Sequence, residues 1–389
     1  MLAAVFISND LLHGDESNDA PTKLKSIRVA GPQTTVFDWS KDACDGDDIP
    51  DLPARAFRDA SGQVVLMASH YVSRRATGPD LGHLTHRCDV VMNSDYDSQP
   101  KNYDDKSWLS ATYTNNGRTV YALLHEEYQG HTHPGRCASG DYFKCWYNAI
   151  TFARSDDGGR TYRRPNGPAK LVAAIPYRYE PDSGPYGLFE PSNIVHRQED
   201  GYYYTLLRIG GHGAQTTGAC LIRTRQLADP SSWRGWDGSG FNTTFIDPYR
   251  KSAPPLGHVC EPVAFLQIAT MSASLTWNTY LKQYLLVGQS ALYSRATRRV
   301  IHGIYYSTSP DLVHWSGRRL LREVVFPFRA GCGDRQAIAY PSVLDPASKS
   351  RNFETTGKRP WLFFTRVHHA GCQQTMNRDL VRVPIELSK

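Results

Sequence analysis

"SDDGGRTY", residues 155–162, follows the apolar run "NAITFA" at 148–153. Its reading decides the fold. Asp and Gly tolerate the left-handed positions of a tight turn, and both flanks read as strands. An Asp side chain here caps the turn's own backbone N–H groups, with Tyr162 packed beneath. Asp156 and Asp157 are therefore structural acids, although they form a carboxylate pair. Two cousins recur downstream: "ACLIRTRQLADPSSW" at 219–233 and "GIYYSTSPDLVHW" at 303–315, closing on Trp233 and Trp315.

Working outward, each such turn follows a hairpin of two alternating strands around a Gly or polar turn. Five hairpins are legible: "ARAFRDASGQVVLMAS" from Ala54, "WLSATYTNNGRTVYALLH" from Trp108, "SNIVHRQEDGYYYTLLR" from Ser192, "VAFLQIATMSASLTWNTYLKQYLLVG" from Val263, and "PSVLDPASKSRNFETTGKRPWLFFTR" from Pro341. Repetition of one supersecondary unit predicts an all-β chain, a five-bladed β-propeller in a single domain spanning 31–389. Residues 1–30 read as an N-terminal extension. "TTVFDW" from Thr34 and "LVRVPIEL" from Leu380 are left over, and their pairing would close the ring and remove free edges. A β-sandwich is the alternative.

The bulk composition agrees. Of 389 residues, 40% are hydrophobic and 21% charged, which suits a globular chain with a real core. Aromatics reach 11%, with 22 Tyr, and 31 Gly plus 24 Pro make turns dense. The net charge of +6 is scattered, without a run of five basic residues, so nucleic acid is not an expected partner. No apolar run approaches the roughly 18 residues of a membrane span, so no membrane association is expected. The 8 cysteines include no CxxC pair, which argues against a zinc ribbon or redox motif. Cys137 and Cys145 are spaced to close a short loop, and Cys332 and Cys372 sit in near-twin contexts. Disulfides in a secreted or periplasmic protein are the preferred reading, buried thiols the alternative. "MLAAVFISNDLL" is too short, and lacks the basic residues, for a complete signal peptide. "NTT" at Asn242 is a formal glycosylation sequon.

In a propeller the first residues of the innermost strands face one mouth of a central channel. The residues before those strands are acidic in three units. The first has "CDGDDIPDLPARAF", with Asp45, Asp47, Asp48 and Asp51; the third has Glu190 in "LFEPSNIV"; the fourth has Glu261 in "HVCEPVAF". The fifth places Tyr340 there, in "AIAYPSVL". Carboxylates at a channel mouth cost desolvation unless they are paired or functional.

This layout resembles the five-bladed propeller glycoside hydrolases of the arabinanase, xylosidase and fructosidase clans. Those enzymes carry an Asp at the first inner strand, an acid-Pro-Ser motif about two blades on, and a Glu-Pro-type motif one blade further. "FEPSNIV" is similar to the middle motif, with Glu190 where the family usually has Asp, and "CEPVAF" is similar to the third. "SPDLVHW" also resembles a stretch common among them. Glycoside hydrolysis needs an acid for the leaving oxygen and a carboxylate as base or nucleophile, and a third carboxylate can hold the acid's pKa up. The expected assignment is Glu261 as general acid, Asp51 as base or nucleophile and Glu190 as tuning and positioning group. Asp48 is the alternative to Asp51. The plainer reading is that Glu190 and Glu261 form salt bridges.

A second resemblance is to sialidases. "SDDGGRTY" matches their Asp-box turn, and "DLPARAF" is similar to their first inner strand, with Arg55 as the carboxylate-binding arginine. "EPSNIVHRQEDGYYYTLLR", ending at Arg208, and "YPSVL", with Tyr340 in the nucleophile's place, continue the likeness. Five units rather than six, and the lack of a full three-arginine set, count against it.

"SHYVSRR" (His70, Arg74), "LGHLTHRC" (His83, His86) and "HEEYQGHTH" (His125, Glu127, His131) fall at strand ends of the first two units. The last does not fit HExxH, so a zincin is excluded. These residues read as substrate contacts, as ligands of a structural cation in the channel, or as the His/Tyr/Arg set of a polysaccharide lyase. Trp146, Tyr128 and Tyr186 read as sugar-stacking platforms. The expected substrate is an oligo- or polysaccharide, cleaved by a monomeric glycosidase that requires no cofactor. A lyase or sialidase-like hydrolase on an acidic glycan is the alternative, and a non-catalytic sugar-binding propeller the third reading.

Overall fold

The computed structural model describes residues 24–389. It is all-β, 45% strand and 6% helix, and its strands fall into five antiparallel groups in chain order. The first is Arg55–Arg58, Val64–Met67, Ser73–Gly78 and Thr85–Met92, each paired with the next. The second is Lys106–Tyr113, Val120–Gln129 and Trp146–Ser155. The third runs outward from Tyr186–Pro191 through Tyr202–Gly210 and Gly218–Thr224. Two parallel rungs, Tyr186 to Tyr147 and Gly187 to Asn148, join it to the second. The fourth is Ser274–Asn278, Gln283–Ser294, Arg299–Ser309 and Arg319–Glu323. The fifth is Gln336–Leu344, Trp361–Ala370 and Gln373–Ser388.

The last strand also pairs with Ser26–Val29 and Thr34–Phe37, with Thr34 opposite Arg382. The expected pairing of the first and last strands is therefore present. The strand at Ser26–Val29 puts the start of the folded unit before residue 31; residues 1–23 of the expected extension lie outside the described residues.

The core lies between the groups. Phe57 and Met67 pack on Leu109 and Leu124; Leu123 and Ile150 on Leu188 and Leu207; Leu206 and Leu221 on Leu275 and Leu286. Val287 and Ile304 pack on Val343 and Phe364, and Leu344 and Phe363 of the last group pack on Ala56 and Leu66 of the first. Strand alternation explains how one strand serves two clusters. Tyr284 and Leu286 face one neighbour, Leu285 and Val287 the other. That is why "YLLV" reads as a continuous apolar run.

The Asp turns behave as expected. Asp157 accepts from the backbone N–H of Arg160 and Thr161, both at 3.0 Å. Gly158 and Gly159 hold φ of +78° and +81°. A Cβ on Gly159 would come within 2.7 Å of the Phe57 ring, so the turn also needs glycine's bareness. Tyr162 is buried beneath and joins the cluster shared with the first group. Asp311 accepts from the N–H of Val313 and His314 above buried Trp315, and Asp229 accepts from Ser231 beside buried Trp233.

One hairpin departs from the expected boundaries. The fourth group's first strand starts at Ser274, not Val263. Phe265–Ile268 forms a single helical turn, anchored by Ile268 in the core and leaving Phe265 and Leu266 exposed. All 8 cysteines are paired, as Cys44–Cys88, Cys137–Cys145, Cys220–Cys260 and Cys332–Cys372. No helix among the described residues is long and apolar enough to cross a membrane.

The groups meet at Arg55. Its side chain is 3% exposed. Nε donates to Ser110 O at 3.1 Å, and Nη2 to Pro191 O at 3.0 Å and Ala273 O at 2.6 Å. Nη1 reaches Ala54 O at 3.4 Å, which Ser342 Oγ also donates to, at 2.5 Å. Backbone carbonyls from four of the five repeats are thus gathered around one guanidinium, and the fifth reaches the cluster through the Ser342 hydroxyl on Ala54 O. Four of its five N–H donors are taken by backbone carbonyls, which does not fit the expected role of Arg55 as a ligand for a substrate carboxylate. Burial pulls its pKa down to about 9, with Glu190 pulling the other way. Arg55→Met would leave several buried carbonyls unpartnered. It is expected to cost about 3–5 kcal/mol, seen as a lower urea midpoint with the slope unchanged; a loss below about 1 kcal/mol would remove Arg55 from this role.

Candidate active site

A cavity of about 970 Å³ opens above that junction. Its wall contains Asp51, Glu127 and Glu190, from segments of three different groups. Asp51 precedes the first strand of the first group and is fixed by its own N–H to Ala68 O. Trp108 Nε1 donates to Asp51 Oδ2 at 3.2 Å, Arg378 donates to Oδ1, and His70 Nε2 lies 3.7 Å from Oδ2. Asp51 is thus the charged partner of Arg378. Burial lowers the His70 pKa against the pull of Asp51, and Nδ1 lies 3.2 Å from Asp47 O.

Glu127 sits in a different environment. It is 6% exposed, and burial pushes its carboxyl well up, reinforced by Asp51 and Glu190. Gln129 Nε2 donates to Glu127 Oε2 at 2.7 Å, and Gln129 Oε1 accepts from Lys106 Nζ at 2.6 Å. Behind Glu127, the His125 tautomer is fixed by Asn148. The Asn148 amide N–H donates to Tyr186 O at 3.1 Å, so its oxygen faces His125 Nε2 at 2.8 Å. Nε2 must donate, which leaves Nδ1 as a lone pair 3.6 Å from Glu127 Oε1. Burial lowers His125 to about 4, in line with that neutral form. Both Glu127 oxygens thus face groups suited to a protonated carboxyl: a donor at Oε2 and an acceptor at Oε1.

Glu190 is pushed up by burial, with Arg208 and Arg55 pulling it down and Asp51 pushing it up. It is positioned through the next residue, whose carbonyl Arg55 holds.

The expected site residues divide accordingly. Asp51, Glu190, His70, Glu127, His131, Arg208 and Tyr340 line the cavity, and His125 backs it. Glu261, expected as general acid, does not. It is exposed, its N–H donates to Trp236 O, and its side chain lies against Gly238. With the helical turn after it, the inner strand starts at Ser274 rather than Val263, and Ser272 and Ala273 take the wall position. Asp48 points to the opposite side of its segment from Asp51. It is 2% exposed, 2.8 Å from His86 Nε2 and 3.9 Å from Arg74 Nη1. Arg74 is likewise buried, bound to Asp45 and to Cys88 O. Asp48 and Arg74 thus engage each other and their neighbours and do not line this cavity.

Among the aromatics, Trp146 lines the cavity, whereas Tyr128 and Tyr186 are buried in the core. Tyr142 stacks on Trp146 with centroids 4.9 Å apart, and Phe143 meets Phe328 at 5.2 Å at the mouth. Two groupings of three ligand-type side chains exist among the described residues, each including cysteines locked in disulfides, which offer no thiolate. Trp108, Lys106, Gln129 and Arg378 were not singled out from sequence. "VYALLHEEYQ" does carry a signal for the groups around Glu127, since His125, Glu127 and Gln129 alternate onto one face of a strand.

Glu126 points to the other face. It accepts from the Asp105 N–H at 2.7 Å and from Ser107 Oγ, and burial raises it to about 8. A carboxyl raised in the folded state keeps its proton longer than in the unfolded chain. Its contribution is therefore full below about 4.5 and declines as pH rises to about 8. Melting curves should show wild type losing stability across that window relative to Glu126→Gln; parallel curves would refute the buried proton.

In sequence the chain matches no protein-family profile and no curated protein. Solved structures align with it at low identity. A family-43 glycoside hydrolase, a point mutant of BlXynB from Bacillus licheniformis, is 13% identical at a TM-score of 0.50. That comparison covers 92% of this chain, which spans 57% of the BlXynB chain. An α-L-arabinanase from Cellvibrio cellulosa, complexed with arabinohexaose, is 12% identical at 0.46, covering 86% of this chain and 90% of that one. A protein of unknown function from Dyadobacter fermentans is 11% identical at 0.45, covering 94% and 100%. The likeness at a TM-score of 0.50 shows a fold shared with a family-43 glycoside hydrolase.

Proposed function

We propose that the chain is a glycoside hydrolase acting outside the cytosol, built as a five-bladed propeller. Support for the ring comes from the five core clusters, the last of which joins the fifth strand group to the first. Support for the compartment comes from the four disulfides. The observation that carries the reaction is the convergence of Asp51, Glu127 and Glu190 on one cavity in unlike environments. Glu127 is the general acid, Asp51 the base or nucleophile, and Glu190 the group that helps keep Glu127 protonated.

In this reading the glycosidic C–O bond breaks as the leaving oxygen takes the Glu127 proton. As base, Asp51 takes a proton from the water that adds at the anomeric carbon. As nucleophile, it forms an ester there, which water then displaces with Glu127 returning as base. Tyr142 and Trp146 offer flat apolar faces for the sugar.

A lyase is the second reading, favoured by His70, Arg378 and Tyr340 on the same wall. Burial keeps the Tyr340 phenol well up, so the base in that reading is neutral His70.

A panel of polysaccharides and aryl glycosides, followed by reducing ends and ultraviolet absorbance together, separates these. Reducing ends without absorbance are expected. Glu127→Gln should lower kcat by about 10²–10⁴-fold, and Glu261→Gln should match wild type. Absorbance that grows and survives Glu127→Gln would transfer the chemistry to His70. The wild-type rate should also fall on the alkaline side as Glu127 loses its proton, with no such limb in Glu127→Gln.

A further inference from the structure

Arg208 lies on Tyr202–Gly210, in register with Phe189, the residue before Glu190. Its guanidinium carbon sits 4.6 Å over the Phe189 ring, and the side chain lines the cavity. The other inner cations are engaged. Arg378 is bound to Asp51, Lys106 donates to Gln129, and Arg55 donates to backbone carbonyls. Arg208 alone of these has no hydrogen-bonded acceptor among the described residues. The Phe189 ring supports the guanidinium on its face, and Arg208 is among the residues that line the cavity.

Arg208 acts on Glu190, whose carboxyl burial raises against the pull of the guanidinium. A planar fork without a hydrogen-bonded partner matches a carboxylate, which it can bind through two parallel N–H···O bonds. We propose that Arg208 anchors the carboxylate of an acidic sugar, so that the site takes a uronate-bearing glycan. This rests on the cavity being the glycan site. Arg329 at the rim and Lys106 within the cavity place further positive charge along the approach.

The test is calorimetric binding of oligogalacturonate and oligoglucuronate, each beside its carboxyl-reduced form, with a sulfated neutral oligosaccharide as a further arm. Wild type, Arg208→Met and Arg208→Lys are compared, and circular dichroism checks that each is folded. Wild type is expected to prefer at least one uronate over its reduced form by about 10-fold or more, the scale of one charge-assisted pair. Arg208→Met should bring that uronate down to the level of its reduced partner. Arg208→Lys should retain only part of the preference, because an ammonium cannot bind bidentately. The proposal is overturned if no uronate binds wild type, if the preference persists in Arg208→Met, or if the sulfated sugar binds as well and Arg208→Lys is unaffected. Turnover is measured separately. Hydrolysis of neutral glycans without a uronate preference would refute the anchor and leave the hydrolase. A uronate preference lost in Arg208→Met, without hydrolysis by wild type, would refute the hydrolase and leave the anchor.

Discussion

The fold depends on one buried cation. Arg55 gives the strand groups a common set of hydrogen bonds at the point where their first strands converge. Innermost strands have no further strand on that side, so carbonyls there face neither water nor a ladder partner. A guanidinium suits such a place because its donors lie in one plane and spread over several directions, and it is more weakly hydrated than an ammonium. Cost and benefit both come from dryness. Removing the charge from water is unfavourable, and the same dry surroundings strengthen each bond it makes. The junction also sets the cavity above it, since two of the bound carbonyls follow Glu190 and Ser272 directly in the chain.

The site uses the same physics with the opposite charge. Asp51 and Glu127 are both carboxyls on one wall, yet they are prepared differently. Asp51 has an arginine and an indole N–H aimed at it, which suit an anion. Glu127 has a neutral amide on one oxygen and an imidazole lone pair toward the other, which suit an acid. The distinction rests on partners one residue further back: Lys106 orients the Gln129 amide, and Asn148 sets the His125 tautomer. Two carboxyls with unlike surroundings are what acid–base chemistry at a single bond requires.

Much of the fold was legible because turn chemistry and strand alternation are local. The Asp turns at 155–162 and 309–315, the strand pairs around Gly62 and Gly117, and the pairing of Thr34–Phe37 with the last strand all follow from residues near one another or from leftover edges. Asp51 and Glu190 were legible as acids beside inner strands. Glu261 misled because an acid-Pro pair looks alike before a strand and before a helical turn, and only tertiary packing of Ile268 decides between them. Asp48 and Asp51 differ by three residues, and which of them faces the cavity depends on the buried contacts of Asp48 with His86 and Arg74. Arg55 was read as a ligand group because sequence does not reveal that distant carbonyls take up its donors.

The edge pairing of the final strand has a mechanical consequence. Ser26 lies opposite Ser388 and Val29 opposite Ile385, so the first and last described strands end side by side. Force applied between residues 24 and 389 acts across the rungs rather than along the strands. The bonds therefore load one after another, starting at the Lys25 N–H to Ser388 O bond, instead of sharing the load. The seam that joins the first strands to the last is thus a zipper: it yields to a pull on its own ends more readily than strands sheared past one another would.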